Sequence, residues 1–295
     1  MTPAPAGALA ISDGQLALSA LLILVNVGLS VVLRLGLGRS LVVASLRMVV
    51  QLLLVGSVLE WLFRQDDALL IVLVAVAMAL IAAVSAVQRT RRRFAGIYLN
   101  SLLTVLASAA LVTGLAVVGL IRPQPWYDPQ YLIPLLGMVL GNTLNGLTLG
   151  LDRFMEGLRS GRDRVETALA LGGTRWEACQ EVVRDAIRVA MIPTINSMMV
   201  MGLVSLPGMM TGQILQGAAP EAAVRYQIVI LFMIASATAL GVFGVVGLAY
   251  GRLTSADHQL RLDRLVTVGE RGIGGAGGSF RRWWGAGRGG TSTLG

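Results

Sequence analysis

Charged and polar residues in this chain fall in short clusters separated by long apolar runs. Residues 14–33, 41–63, 68–88, 98–121 and 131–151 are such runs, followed by 189 to about 217 and by 226–251. A helix needs about 20 residues to cross ~30 Å of hydrocarbon, and every run is long enough. The pattern predicts an all-α, polytopic membrane protein with about seven transmembrane helices. A charged helix-turn-helix elbow, residues 160–188, joins the fifth run to the sixth. A composition 55% hydrophobic and 14% charged agrees.

Arginine placement orients the spans, because cytoplasmic loops carry the positive excess. All 24 basic residues are arginine. Of these, 21 lie in segments 34–47, 89–93, 153–188 and from 252 onward, against Arg64, Arg122 and Arg225 on the other side. Residues 1–13 are therefore expected outside, residues 14–258 in the membrane domain, and the elbow and C-terminus in the cytoplasm. The net charge of +8 follows from orientation and gives no reason to expect nucleic acid. Without lysine there is no P-loop, so this chain binds no cofactor of its own, and any ATP and Mg belong to a partner chain. Cys179, the single cysteine, excludes an internal disulfide and a multi-cysteine metal cluster. The first fifteen residues lack the basic region of a signal peptide, so the first run reads as a retained span. Residues 259–295, rich in glycine and arginine, are expected to be a disordered tail touching the membrane surface.

The elbow carries two cap-like patterns, Ser160-x-x-Asp163 and Thr174-x-x-Glu177, each expected to start a helix. Gly172-Gly173 between them supplies a stop where positive φ is accessible. Val165, Ala168, Leu169 and Leu171 form an apolar side on the first helix; Trp176, Cys179 and Val183 do so on the second. Arg184, Asp185 and Arg188 continue the second helix toward the membrane, with Asp185 and Arg188 spaced to pair. A helix lying inertly on lipid is the alternative.

From Val189 to Pro220 no charge appears. One straight helix of that length would span about 48 Å, so a break is required, and Pro193 and above all Ser205-Leu206-Pro207-Gly208 provide it. Transporters bind substrate at such breaks, which makes Ser197, Ser205, Pro207, Met209 and Met210 candidate pathway residues. Met191, Met198, Met199 and Met201 join Met209 and Met210 here; thioethers suit soft metal ions and equally fill a moving core. Arg47 and Gln51 share a helix face, either as a snorkelling arginine or as a face toward a path. Asn142 and Asn145 read either as interhelical bonds or as path lining, beside the close-packing pairs Gly137/Gly141 and Gly146/Gly150. Glu60, Asp66 and Asp67 gather acid at the outer surface, and His258 reads as a solvated side chain. The metal-ligand set is left unknown.

Glu166-Thr167-Ala168 followed by Gly172 resembles half of the loop by which ABC-importer permeases dock their ATPase; Arg184-Asp185 stand where that pattern has Leu-Pro. A broader resemblance rests on RDAIRVAMIPT (184–194), GLVSLPGMMTGQI (202–214), YQIVILFM (226–233), the Gly-Met and Gly-Asn pairs at 137–142, Arg47/Gln51 and Asp66-Asp67. With these the chain is similar to the FetB-type family of ABC permeases, iron-export subunits of the bacterial inner membrane with plant relatives in aluminium tolerance. The resemblance implies a homodimer working with a separate cytoplasmic ABC ATPase and exporting a metal ion such as iron; a plant branch is associated with nucleotide sugars. In such a transporter Glu166, Gly172, Gly173, Thr174, Arg184, Asp185 and Arg188 would couple to the ATPase. A secondary transporter or channel would carry ionisable residues deep in its spans for ion coupling, and midspan acids or histidines are absent. A membrane enzyme would show a nucleophile–base pair or a metal motif, and neither is visible.

Overall fold

The computed structural model describes residues 12–65, 67–255 and 257–267, without the side chain of Asp13. The expectations for residues 1–11, for Asp66 and for the tail beyond Thr267 lie outside the described residues. Among these are α1 (Asp13–Val32), α2 (Gly38–Leu62), α3 (Ala68–Arg89), α4 (Ile97–Leu115), α5 (Pro129–Ser160), α6 (Arg162–Ala170), α7 (Arg175–Val200), α8 (Gly208–Leu215) and α9 (Pro220–Leu253). Two short strands, β1 (Arg92–Arg93) and β2 (Val266–Thr267), pair antiparallel.

The fold is that of an all-α polytopic membrane protein. Six described helices, α1 to α5 and α9, are long and apolar enough to cross a membrane. The sixth apolar region is no single span: α7 leads into it, a break follows, and α8 completes it. Pro193 does not supply that break. α7 runs through it to Val200; the lost i→i−4 hydrogen bond and the ring's crowding of the preceding turn do not end the helix here.

The chain divides into two compact units, one built on residues 14–49 and one on residues 50–267. In the first, a tight turn joins α1 to α2. Ser30 is buried there and its hydroxyl accepts from Leu37 N at 3.0 Å, while Arg34 and Gly36 take positive φ.

The second unit is organised around α5, which packs on α3, α4, α7 and α9. Its buried side includes Leu136, Val139, Leu140, Leu144, Leu147, Leu151, Phe154 and Leu158, the three-and-four spacing of one helical stripe. Gly146 and Gly150 bring the neighbouring helices to backbone distance. A Cβ on Gly150 would stand 3.3 Å from Val242 of α9 and 3.4 Å from Ala190 of α7. The expected disorder from residue 259 is corrected as far as Thr267. Leu260, Leu262 and Leu265 pack on the core and β2 closes onto β1, so those apolar side chains do have a surface to bury against.

At Gly146 a Cβ would lie 2.6 Å from Thr238 Cγ2 and 3.1 Å from Val242 Cγ2, whereas at Gly141 nothing lies within 4 Å. Gly146→Ala is expected to destabilise the protein by about 1–3 kcal/mol, the usual cost of overpacking, and Gly141→Ala to stabilise it by up to about 1 kcal/mol, the helix-interior gain of alanine over glycine. Thermal unfolding of both variants in detergent is the check.

Candidate functional site

The elbow forms as a helix, a glycine corner and a second helix, but its entry differs from expectation. α5 continues unbroken to Ser160, whose hydroxyl donates back to Glu156 O at 3.0 Å. Gly161 therefore starts α6 with no side-chain cap, and Asp163 stands in the first turn where a carboxylate suits the helix dipole. At the far end, Gly172 N–H donates to Leu169 O and Gly173 N–H to Ala168 O, both at 3.0 Å. This is a Schellman ending, with Gly172 at φ +88°. A Cβ on Gly173 would sit 2.8 Å from the Ala168 carbonyl oxygen.

α7 then opens on a reciprocal cap. Glu177 N donates to Thr174 Oγ1 at 3.3 Å, and Thr174 N and Oγ1 each donate to Glu177 Oε2 at 2.8 Å. The backbone bond from Thr174, then its hydroxyl, hold the Glu177 carboxyl below its usual 4.5. Arg164 on α6 pairs with Glu181 on α7 at 2.6 Å, and Glu166 pairs with Arg162 at 2.8 Å.

Burial sorts the elbow's apolar residues. Val165, Cys179 and Val183 are buried, and burial pushes the Cys179 thiol up to about 11. Leu171, expected on the apolar side, is instead 84% exposed at the corner beside Gly172. Trp176 is partly exposed but stacks edge-on against Tyr250 of α9, centroids 5.8 Å apart. His258 is exposed, yet it is not simply solvated: its Nδ1 accepts from Arg175 N at 3.0 Å.

Asp185 was expected to pair with Arg188 on its own helix. Arg153 of α5 takes it instead, Nε donating to Oδ2 at 2.6 Å. The reason is the closeness of the two helices: Gly150 and Gly157 of α5 abut Ala190 and Val182 of α7, bringing the α5 arginine to the carboxylate. Arg184 and Arg188 are exposed.

After Val200 the chain makes a turn closed by Gly202 N–H donating to Ser205 O at 2.9 Å. Leu203 and Val204 at its tip are 88% and 84% exposed. Pro207 then leads into α8. Ser197 and Ser205 are exposed and Met210 is buried. Met209 borders a cavity of about 330 Å³ whose polar lining is Gln130 and Tyr131 of α5, Gln213 of α8 and Tyr226 of α9. The Tyr226 hydroxyl is buried without a hydrogen-bond partner.

Asn142 and Asn145 lie with Gly141 on the exposed side of α5. Asn142 bonds within its own helix, to Met138 O at 2.9 Å, while Asn145 Oδ1 accepts from Arg89 of α3 at 3.2 Å. Arg47 and Gln51 are both exposed on α2. Of the outer acids, Glu60 pairs with Arg64 at 2.7 Å and Asp67 caps α3, accepting from Leu69 N at 2.8 Å. Among the described residues no three His, Cys, Asp or Glu side chains gather as a metal site would require. Tyr131, Tyr226, Arg89, Arg153 and His258 were not singled out as site residues from sequence. Only the two tyrosines carried a signal, polar-tipped aromatics opening apolar runs.

A family model described as "Uncharacterised protein family (UPF0014)" matches residues 14–254. The chain belongs to this family. UPF0014 membrane protein slr1647 of Synechocystis sp. is 41% identical over 226 residues, 77% of this chain and 87% of that protein. The probable iron export permease protein FetB of Escherichia coli is 32% identical over 256 residues, 86% of this chain and 97% of its own. Protein ALUMINUM SENSITIVE 3 of Arabidopsis thaliana is 33% identical over 215 residues, 73% and 77% of the two chains. The resemblance read from the motifs is borne out. No solved structure matches the chain.

Thr174→Ala removes the α7 cap and is expected to cost about 1 kcal/mol, measured as faster amide exchange in the first turn of α7. Because the Glu177 carboxyl is held below 4.5, its contribution is present above that pH and is lost as pH falls through the lower folded value. The unmutated elbow should therefore keep this cap at pH 5.5.

Proposed function

We propose that this chain is the membrane permease of an ATP-driven exporter, working as a homodimer with a separate ABC ATPase at the elbow. The observation that carries the reading is a rigid corner presenting an unburied apolar side chain. Leu171 projects beside Gly172 and Gly173, and the Schellman bonds on one side and the Thr174–Glu177 box on the other fix the turn that holds it. An apolar side chain held on an inflexible turn suits contact with a partner surface.

The corner is continuous with the broken helix. α7 contains 26 residues and is about 39 Å long, reaching from Thr174 to the turn at 201–207. A push on the corner would travel along this rod, and the turn would yield, since it is held by few backbone bonds. α5 offers the path a polar side through Gly141, Asn142 and Asn145, and the second copy would cover the exposed turn. With the arginine-rich segments inside, the elbow faces the cytoplasm of a bacterial inner-membrane protein. A metal ion such as iron is the proposed cargo, supported by the relative named a probable iron export permease.

The test replaces Gly172 and Gly173 together by valine, which cannot adopt φ +88° without strain and clashes with the Ala168 carbonyl. The affinity-tagged parent is expected to bring down a Walker-motif ATPase, and the variant to lose at least tenfold of it while eluting as the same oligomer. Equal recovery of the ATPase by both proteins refutes the docking role.

A further inference from the structure

The helix α7 begins at Arg175, whose N–H is one of the donors a helix start leaves without an intrahelical partner. Local side chains cap the neighbours: Thr174 serves Glu177 N, and Glu177 serves Thr174 N. The acceptor for Arg175 comes from 83 residues away, His258 Nδ1 at 3.0 Å. His258 is the only histidine in the chain.

Its position is built for this contact. After α9 the chain turns back on itself: Thr254 bridges Leu260 antiparallel, Ser255 N–H donates to Gln259 O at 2.8 Å and Arg261 N–H to Leu253 O at 2.8 Å. His258 occupies the tip at φ +56°, a left-handed conformation that non-glycine residues rarely take. Beside it, the Arg175 guanidinium lies 5.8 Å over the ring of Tyr250, against which Trp176 also stacks. Beyond the tip, β2 pairs with β1 between α3 and α4. The start of α7, the end of α9 and the α3–α4 connection are thus tied together by residues 254–267.

We infer that His258 is a positioning residue that clamps the start of α7 to the end of α9, and that protonating its imidazole releases the clamp. Nδ1 accepts only while it keeps its lone pair. An imidazolium has none, and its charge would face both the positive end of a helix and the Arg175 guanidinium. The charged and titratable groups at the ends that meet here are Arg175, Glu177 and Cys179 at the start of α7, Tyr250 and Arg252 at the end of α9, Arg91, Arg92 and Arg93 on the α3–α4 connection, and Asp257, Arg261, Asp263 and Arg264 along the returning chain. Glu177 is engaged by Thr174, and Asp257 accepts from Ser255 Oγ at 3.1 Å. Histidine is the side chain that ordinarily changes charge between pH 5 and 8, so the elbow would loosen in acid. The inference adds to the proposed function a pH-sensitive hold on the coupling corner, and its consequence for docking rests on that reading.

The experiment is amide exchange of the full-length permease in detergent, without any ATPase, read on peptides covering residues 174–180 and corrected for intrinsic rates. His258→Ala is compared with His258→Asn, whose carboxamide can accept the same bond and whose backbone tolerates left-handed φ. At pH 7.5, His258→Ala should exchange about five- to tenfold faster than the parent, the loss of one net hydrogen bond, and His258→Asn should stay near the parent. On going from pH 7.5 to pH 5.5, where the Glu177 cap persists, the parent's protection should fall relative to that of His258→Asn, in the direction of His258→Ala. Equal protection of parent and His258→Ala, or a parent indifferent to pH, overturns the inference. Recovery of the ATPase by the parent is scored separately: its failure refutes the docking reading, while exchange still decides the clamp.

Discussion

A backbone amide or carbonyl in hydrocarbon has no water to bond, and leaving it unsatisfied costs several kcal/mol. The turn at 201–207 meets that constraint only in part. Within it Gly202 bonds to Ser205 and a few amides reach back to Val200, and α8 begins at Gly208, after Pro207, with no side-chain cap. An irregular segment in an apolar, uncharged stretch must be covered by protein or line a wet cavity. The break therefore explains why this chain is read as one part of a larger assembly with a path through it, and why the helices leading to the break matter more than those remote from it.

What reaches the break is set by packing more than by charge. Arg153 and Asp185 join α5 to α7, but both are roughly half exposed, and pairs of that kind contribute about 0–1 kcal/mol. The register between the two helices comes from Gly157 against Val182, where a Cβ would stand 2.7 Å from Cγ1, and from the close approach of Gly150 to Ala190. The same holds at the elbow. Its surface ion pairs, Arg162–Glu166 and Arg164–Glu181, decorate a shape fixed by backbone bonds at Gly172 and Gly173 and by the cap at Thr174. In the proposed mechanism a stiff corner and a closely packed rod leave the turn as the one compliant place.

Much of this was legible in the sequence because the physics is local. Apolar runs of membrane length, a Thr-x-x-Glu cap and a double glycine announce spans, a helix start and a helix stop without reference to other residues. Local rules failed where a distant neighbour competed. Ser160 resembles a cap, but the buried stripe of α5 continues through Leu158 and carries the helix past it. Asp185 has Arg188 at the right spacing, yet Arg153 stands closer because glycines draw α5 inward. Pro193 looked like a breaker, and the helix absorbed it. His258 gave no signal at all, since its partner lies 83 residues away and only the return of the chain after α9 brings them together.

In the proposed transporter the turn after α7 lines a path whose access follows the nucleotide state of a partner. Ser205→Cys tests it most directly in the assembled complex, using a membrane-impermeant maleimide. Cys179, buried and with a thiol pushed up to about 11, stays silent beside it. Labelling at this position is expected, at a rate that changes when ATP hydrolysis is arrested. No labelling in any nucleotide state would contradict it, since a turn closed off from water lines no path.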